Sequence, residues 1–270
     1  MRLDIVIPAH NEQHRIDATL RAFRDRMTDP DVRFLVAMDC CTDATADIVA
    51  RHSAADPRVV GLPYPKLGKG GVIMETLRRS DADVVGFVDA DCATPPAEFT
   101  RLAEAVVDAD MAIAARWHSA SVLPARRPFS RRLESRVFAG AVRALFGLPY
   151  RDTQCGAKVF RREVAEAVLP VLSSRDFLFD VELLMATRAM GFRVVEVPTV
   201  WVDQAGSRLR AGHDGRRMAL SALRLWFHLR TIPLPVSAGR RPVPLEPATE
   251  HLPIPEVLDL TEPAVAGADL

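Results

Sequence analysis

Two aspartates, Asp89 and Asp91, stand two residues apart at the end of the apolar run Asp83-Val-Val-Gly-Phe-Val88. A buried strand that closes on carboxylates needs something to neutralise them, because an unpaired buried charge is costly. A hard divalent cation carrying a diphosphate meets that need, since Mg²⁺ takes one or two carboxylates together with phosphate oxygens. The plainer alternative is that both aspartates cap the helix expected to begin near Pro95. Three further stretches hold residues of the right kind. Ile7-Pro8-Ala9-His10-Asn11-Glu12 ends an apolar run, with Glu12 expected in the first turn of a helix, where a carboxylate suits the dipole. In Met38-Asp39-Cys40-Cys41-Thr42-Asp43, Asp39 can accept hydrogen bonds from a nucleobase or ribose, whereas Asp43 can equally cap its helix. Gly68-Lys69-Gly70-Gly71 offers backbone N–H groups and a cation at a helix start, which suits a phosphate. It has the spacing of neither the Walker nor the dinucleotide loop.

These residues need a frame that brings strand ends together. Short Val/Ile-rich runs alternate with helical patterns, the mark of a mostly parallel sheet flanked by helices. Strands are expected at Leu3–Pro8, Arg33–Asp39, Val59–Leu62, up to Asp89 and at Met111–Ala115. Helices fall between them, the first on Ile16, Leu20 and Phe23, then Thr45–His52, Gly71 to about Arg79, and Ala97–Val107. Such a doubly wound half binds ligands at the carboxyl ends of its strands. Beyond it, residues 116–143 hold seven arginines and one acid, Glu134. A polar turn, Arg151–Gly156, precedes two helical segments near Arg162–Leu172 and Asp180–Met190, then a strand over Arg193–Val202 broken by Pro198. Gly212–Arg230 reads as a basic helix with Leu220, Leu223 and Phe227 on one side. Such a helix can lie at a membrane interface or pack on its own domain. The frequent prolines from Ile232 onward predict a disordered tail. The expected organisation is one domain over 1–231, with a nucleotide-sugar half (1–116) and an acceptor half (117–231), followed by a tail over 232–270.

Bulk properties narrow the class. A net charge of zero argues against nucleic-acid binding by bulk electrostatics. The four cysteines form neither a disulfide framework nor a C-x-x-C metal site, which fits a reducing cytosol. No signal peptide or membrane-spanning run is expected, because the apolar runs are too short.

The order I-P-A-H-N-E, strand-end Asp, G-K-G-G and V-D-A-D resembles the family 2 inverting glycosyltransferases of the GT-A fold, from residue 3 to about 230. Asp152-Thr-Gln-Cys-Gly-Ala-Lys158, Phe179-Asp-Val-Glu-Leu-Leu184, Glu196-Val-Pro198, Trp201 and Gly206-Ser-Arg208 are similar to the dolichyl-phosphate β-glucosyltransferase branch. The resemblance implies an α/β GT-A fold built on a single doubly wound, mostly parallel sheet. It also implies a nucleoside diphosphate sugar donor (UDP-glucose), a polyprenyl phosphate acceptor and Mg²⁺ or Mn²⁺. By position, Pro8, Ala9, Glu12, Asp39, Lys69 and Ala90 line the donor, and Asp89 and Asp91 hold metal and diphosphate. Arg116 and Arg131 grip the acceptor phosphate, Gln154 faces sugar or acceptor, and Asp180 takes the general-base position. Trp201 is a core residue that could stack a sugar.

Two departures touch the donor. Met38-Asp39 replaces an acidic pair, and Cys40-Cys41 replaces Gly-Ser. Eukaryotic members carry a membrane anchor ahead of the first strand, which is not expected here. The expected setting is therefore the cytoplasm, with peripheral contact at the inner membrane face through residues 213–230 and a homo-oligomer left open. The acceptor sets a fork: a phosphate needs cations to grip it, whereas the hydroxyl of a small molecule needs a base, for which Asp180 is the candidate.

Overall fold

The computed structural model describes residues 1–123, 139–202, 220–227 and 229. Seven strands form one sheet in the order β3-β2-β1-β4-β6-β5-β7. They are β1 (Leu3–Ala9), β2 (Val32–Asp39), β3 (Val59–Tyr64), β4 (Val84–Val88), β5 (Met111–Ala115), β6 (Ala157–Arg161) and β7 (Val194–Pro198). The helices between the first five are α1 (Ile16–Arg26), α2 (Thr45–Ala55), α3 (Lys69–Arg79) and α4 (Pro96–Ala105). Then come α5 (residues 139–146 of the described chain), α6 (Arg162–Val168), α7 (Phe179–Ala189) and α8 (residues 220–227).

The strands β1, β2, β3 and β4 pair in parallel. Every residue of β4 is buried, as a strand covered by helices on both faces requires. Alternation splits the strands between two cores. Val85, Phe87 and Phe160 face one side with Phe179 of α7. Val84, Val88 and Val159 face the other with Ile16, Leu20 and Phe23 of α1, all three 0% exposed. Strand order reverses between β1 and β4, and such a switch point opens a crevice at the strands' carboxyl ends. Asp89 and Asp91 leave β4 at that crevice.

One strand went unread in the sequence, and one local reading is corrected. Ala157–Arg161 is a strand that the sequence pattern concealed. It runs antiparallel between β4 and β5, and Lys158 at its centre breaks the apolar alternation that would have announced it. Glu12 lies in a turn ahead of α1, its carbonyl accepting the Arg15 and Ile16 N–H groups. Asn11 takes φ 55°, and α1 starts only at Ile16, after Arg15 with φ −128°. The expected tail over 232–270 and most of Gly212–Arg230 lie outside the described residues.

Candidate active site

The β4 carboxylates do not cap α4, which has no side-chain cap hydrogen bond. Asp89 extends the strand by one bond, its N–H donating to the Gly156 carbonyl at 3.1 Å. Its Oδ1 lies 2.7 Å from Lys69 Nζ. A Cβ on Gly156 would stand 1.9 Å from Asp89 Oδ2, so only glycine leaves room for this carboxylate. The Ala90 carbonyl is pinned to α1 by the Thr19 hydroxyl at 2.8 Å. Asp91 accepts the Ala93 N–H at 3.0 Å, and its carboxyl is pushed up from the ordinary value by burial and then by the charge of Asp89. A cation shared by the two would relieve both causes. Among the described residues no group of three or more His, Cys, Asp or Glu could hold a metal on its own. The donor set therefore fits an ion that takes its remaining ligands from a diphosphate, as Mg²⁺ or Mn²⁺ does.

The opposite wall comes from the ends of β1 and β2. Asp39, 5% exposed, accepts the Leu67 N–H at 2.6 Å and the Gly68 N–H at 3.2 Å. Gly70 donates its N–H to the Arg175 carbonyl at 3.0 Å. These three amides of the glycine loop are thus spent inside the protein, while Lys69 lines the cavity with its ammonium on Asp89. Gly68 adopts φ +80°, and a Cβ there would lie 2.5 Å from the Arg175 carbonyl oxygen. His10 Nδ1 lies 2.6 Å from the Asp39 carbonyl oxygen, and its Nε2 is 3.3 Å from Lys66 Nζ. The Glu12 carboxylate pairs with Arg15 at 2.7 Å. Asp43 accepts the N–H and hydroxyl of Thr45, the first residue of α2, and the Gln13 N–H, tying the start of α2 to the turn ahead of α1.

A cavity of about 1010 Å³ joins these walls. Pro8, Ala9, Glu12, Asp39, Lys69, Asp89, Ala90 and Asp91 all line it. So do Arg15, Lys66, Arg175 and Arg224, which the sequence reading did not single out. Lys66 was the findable one, three residues before Lys69 in the same loop. Arg175 and Arg224 come from the α7 approach and from α8, which only the fold brings here.

The other expected residues sit beside or beneath the cavity. Asp180, in the first turn of α7, is 3% exposed. It accepts a very short hydrogen bond from Lys158 Nζ and lies 3.9 Å from Lys69 Nζ. Glu182, two residues on, takes the N–H groups of Ser173 and Ser174 and fixes the loop that carries Arg175. The Arg116 guanidinium forms a two-pronged pair with Asp152, at 2.7 and 2.9 Å, and stacks 4.9 Å from the Trp201 ring. Burial alone would raise the Asp152 carboxyl, but Arg116 holds it below the ordinary value. Trp201 is buried and, with Arg116 and Gln154, is outside the cavity lining. Arg131 lies outside the described residues.

The family described as Glycosyl transferase family 2 matches residues 4–169. Glycosyltransferase AglD of Haloferax volcanii is 31% identical over 86% of this chain, which spans 38% of that protein. The dolichyl-phosphate beta-glucosyltransferase of Dictyostelium discoideum is 29% identical, with 83% of this chain and 74% of the relative aligned. The undecaprenyl-phosphate mannosyltransferase of Micrococcus luteus is 32% identical, with 76% and 85% aligned. Among solved structures, glucosyl-3-phosphoglycerate synthase from Mycobacterium tuberculosis in complex with UDP superposes with TM-score 0.61 at 17% identity, over 84% of this chain and 80% of its own. The same enzyme has been seen with Mn²⁺ and UDP. That likeness shows the GT-A fold.

Proposed function

The chain belongs to glycosyl transferase family 2, and on that premise we propose that it moves glucose from UDP-glucose to a polyprenyl phosphate, with inversion and with a divalent metal at the diphosphate. The observation that carries the choice of acceptor is the setting of Asp180. A hydroxyl acceptor needs a base within hydrogen-bond reach, yet Asp180 is buried, takes its hydrogen bond from Lys158 and faces Lys69. A phosphate acceptor is already an anion and needs a cationic grip instead. Arg175 and Arg224, which line the same cavity as Lys69, suit that task. Relatives named for dolichyl-phosphate and undecaprenyl-phosphate transfer support the lipid-phosphate class, and the fold's occurrence with UDP supports the donor.

In the reaction an acceptor oxygen attacks the anomeric carbon from the face opposite the diphosphate. The new carbon–oxygen bond forms as the bond to the diphosphate breaks, and that electron pair leaves with UDP. The protein's part is to hold donor and acceptor in line. Asp91 and Asp89 would hold the metal, which supplies charge neutralisation for the departing diphosphate. Lys69 adds a fixed positive charge on the same side, and the walls at Asp39 and Pro8 seat the nucleoside.

The test is incubation with radiolabelled UDP-glucose, Mg²⁺ and undecaprenyl or decaprenyl phosphate. Label extractable into organic solvent is expected only when the lipid phosphate is present. If no donor, GDP-mannose included, yields lipid-extractable sugar, the reading is wrong.

A further inference from the structure

Beneath the diphosphate wall, three carboxylates and two lysines form one connected cluster: Asp91, Asp89, Lys69, Asp180 and Lys158. Lys69 stands between two of the acids, 2.7 Å from Asp89 and 3.9 Å from Asp180. We propose that Lys158 is a positioning residue of the diphosphate site: by holding Asp180, it leaves Lys69 on Asp89. This inference rests on the donor reading given above.

Lys158 occupies the middle of β6, between Phe87 of β4 and Ile113 of β5, and is 0% exposed. Alternation along β6 aims it at the α7 side, where its ammonium donates to Asp180 and, at 2.7 Å, to the Cys155 carbonyl. The Phe87 ring centroid is 5.5 Å away. The Cys155 carbonyl and the Phe87 ring face also favour the ammonium, and its charge reaches Asp152. Among the described residues the carboxylate it pairs with directly is Asp180.

Burial then decides how Lys69 divides its attention. The Asp89 side chain is 34% exposed and can be served by water, whereas the Asp180 side chain is 4% exposed and cannot. Without Lys158, the nearest cation to the buried carboxylate is Lys69, and the cost of an unpaired buried charge draws it there. Asp89 would lose its ammonium and stand beside Asp91 as a second unpaired acid, facing an incoming diphosphate. Lys158 never touches the ligand; it acts through Asp180 on Lys69, and through Lys69 on Asp89.

The experiment is calorimetric titration of UDP into the folded protein, in EDTA and in Mg²⁺, for wild type, Lys158→Met and the charge-balanced double variant Lys158→Met/Asp180→Leu. GDP serves as a second probe. Lys158→Met leaves three carboxylates to one ammonium, and its UDP affinity in EDTA is expected to fall about tenfold or more, about 1.4 kcal/mol. The double variant puts an apolar pair in place of the ion pair and returns Lys69 to Asp89, so its affinity should recover to within about threefold of wild type. A residue with a merely structural role would lower the melting temperature without changing the affinity of the folded protein. Wild-type affinity in folded Lys158→Met, or a folded double variant that stays weak, would overturn the inference. Should Lys158→Met not fold, the double variant decides alone. If the wild type binds neither UDP nor GDP, the donor reading fails and takes this inference with it; if the wild type binds and Lys158→Met binds equally, only the inference fails.

Discussion

At Asp89 and Asp91 one motif divides into two roles. Asp89 is bound to Lys69 and walled by Gly156, whereas Asp91 holds a single backbone N–H and carries the cost of burial and of its neighbour's charge. The larger demand for a cation thus falls on Asp91. Gly156→Ala should displace the Asp89 carboxylate, since the added Cβ would stand 1.9 Å from Oδ2. Such a misplacement of about an ångström is expected to lower transfer about a hundredfold, measured as initial rate beside a melting curve that shows the protein still folded. An unchanged rate would mean that Asp89 is free to move. The sequence displayed both aspartates because a polar pair at the end of Val84–Val88 is visible at short range. It did not display that Arg116 is taken by Asp152, 36 residues away, nor that Asp180 is taken by Lys158, 22 residues away. A long-range partner leaves no mark on local spacing.

Among the elements, the helices and parallel strands of the first half were legible because each is a run of one period. Strand β6 was not, since five residues with a lysine at the centre match neither alternation nor helix. Yet β6 brings Gly156 to Asp89 and Lys158 to Asp180, so the unread strand supports the read motif. A different junction ties α1, the end of α2 and β3 together: Asp56 accepts from Arg58 and from Arg24 at 2.8 and 2.9 Å. The Arg58 guanidinium, joined by Arg24, outweighs burial and holds the Asp56 carboxyl well below its ordinary 3.8. A carboxyl lowered in the folded state adds stability above its unfolded pKa and loses it as pH falls through the folded one. Asp56→Asn should therefore cost about 1.5–3 kcal/mol at pH 7, with the gap to wild type closing progressively below about pH 4. Urea melts of both proteins across that range measure it, and a gap that stays constant with pH would exclude the ion pair as its source.

Over the whole molecule, α8 faces two ways. Ala222 and Leu225 are buried in the core shared with α7, while Leu220, Leu223 and Phe227 are 55%, 47% and 61% exposed. The helix thus packs on its own domain and still presents an apolar side, with Arg224 on the cavity wall beside it. Among the described residues no helix is long and apolar enough to cross a membrane. For a lipid-phosphate acceptor, that exposed side is where the bilayer would be met. Leu223→Asp/Phe227→Asp should reduce co-sedimentation with anionic vesicles at least severalfold and leave UDP binding intact; equal sedimentation would move the membrane contact elsewhere. All of this depends on the strand-end carboxylates being the anchor for metal and diphosphate. The most direct measurement is titration of UDP into wild type and Asp91→Ala, each with Mg²⁺ and with EDTA. Wild type is expected to bind about tenfold or more tightly in Mg²⁺ than in EDTA, a difference of about 1.4 kcal/mol. Asp91→Ala, folded by circular dichroism, should bind equally weakly in both; a Mg²⁺-dependent affinity preserved in Asp91→Ala would contradict the account.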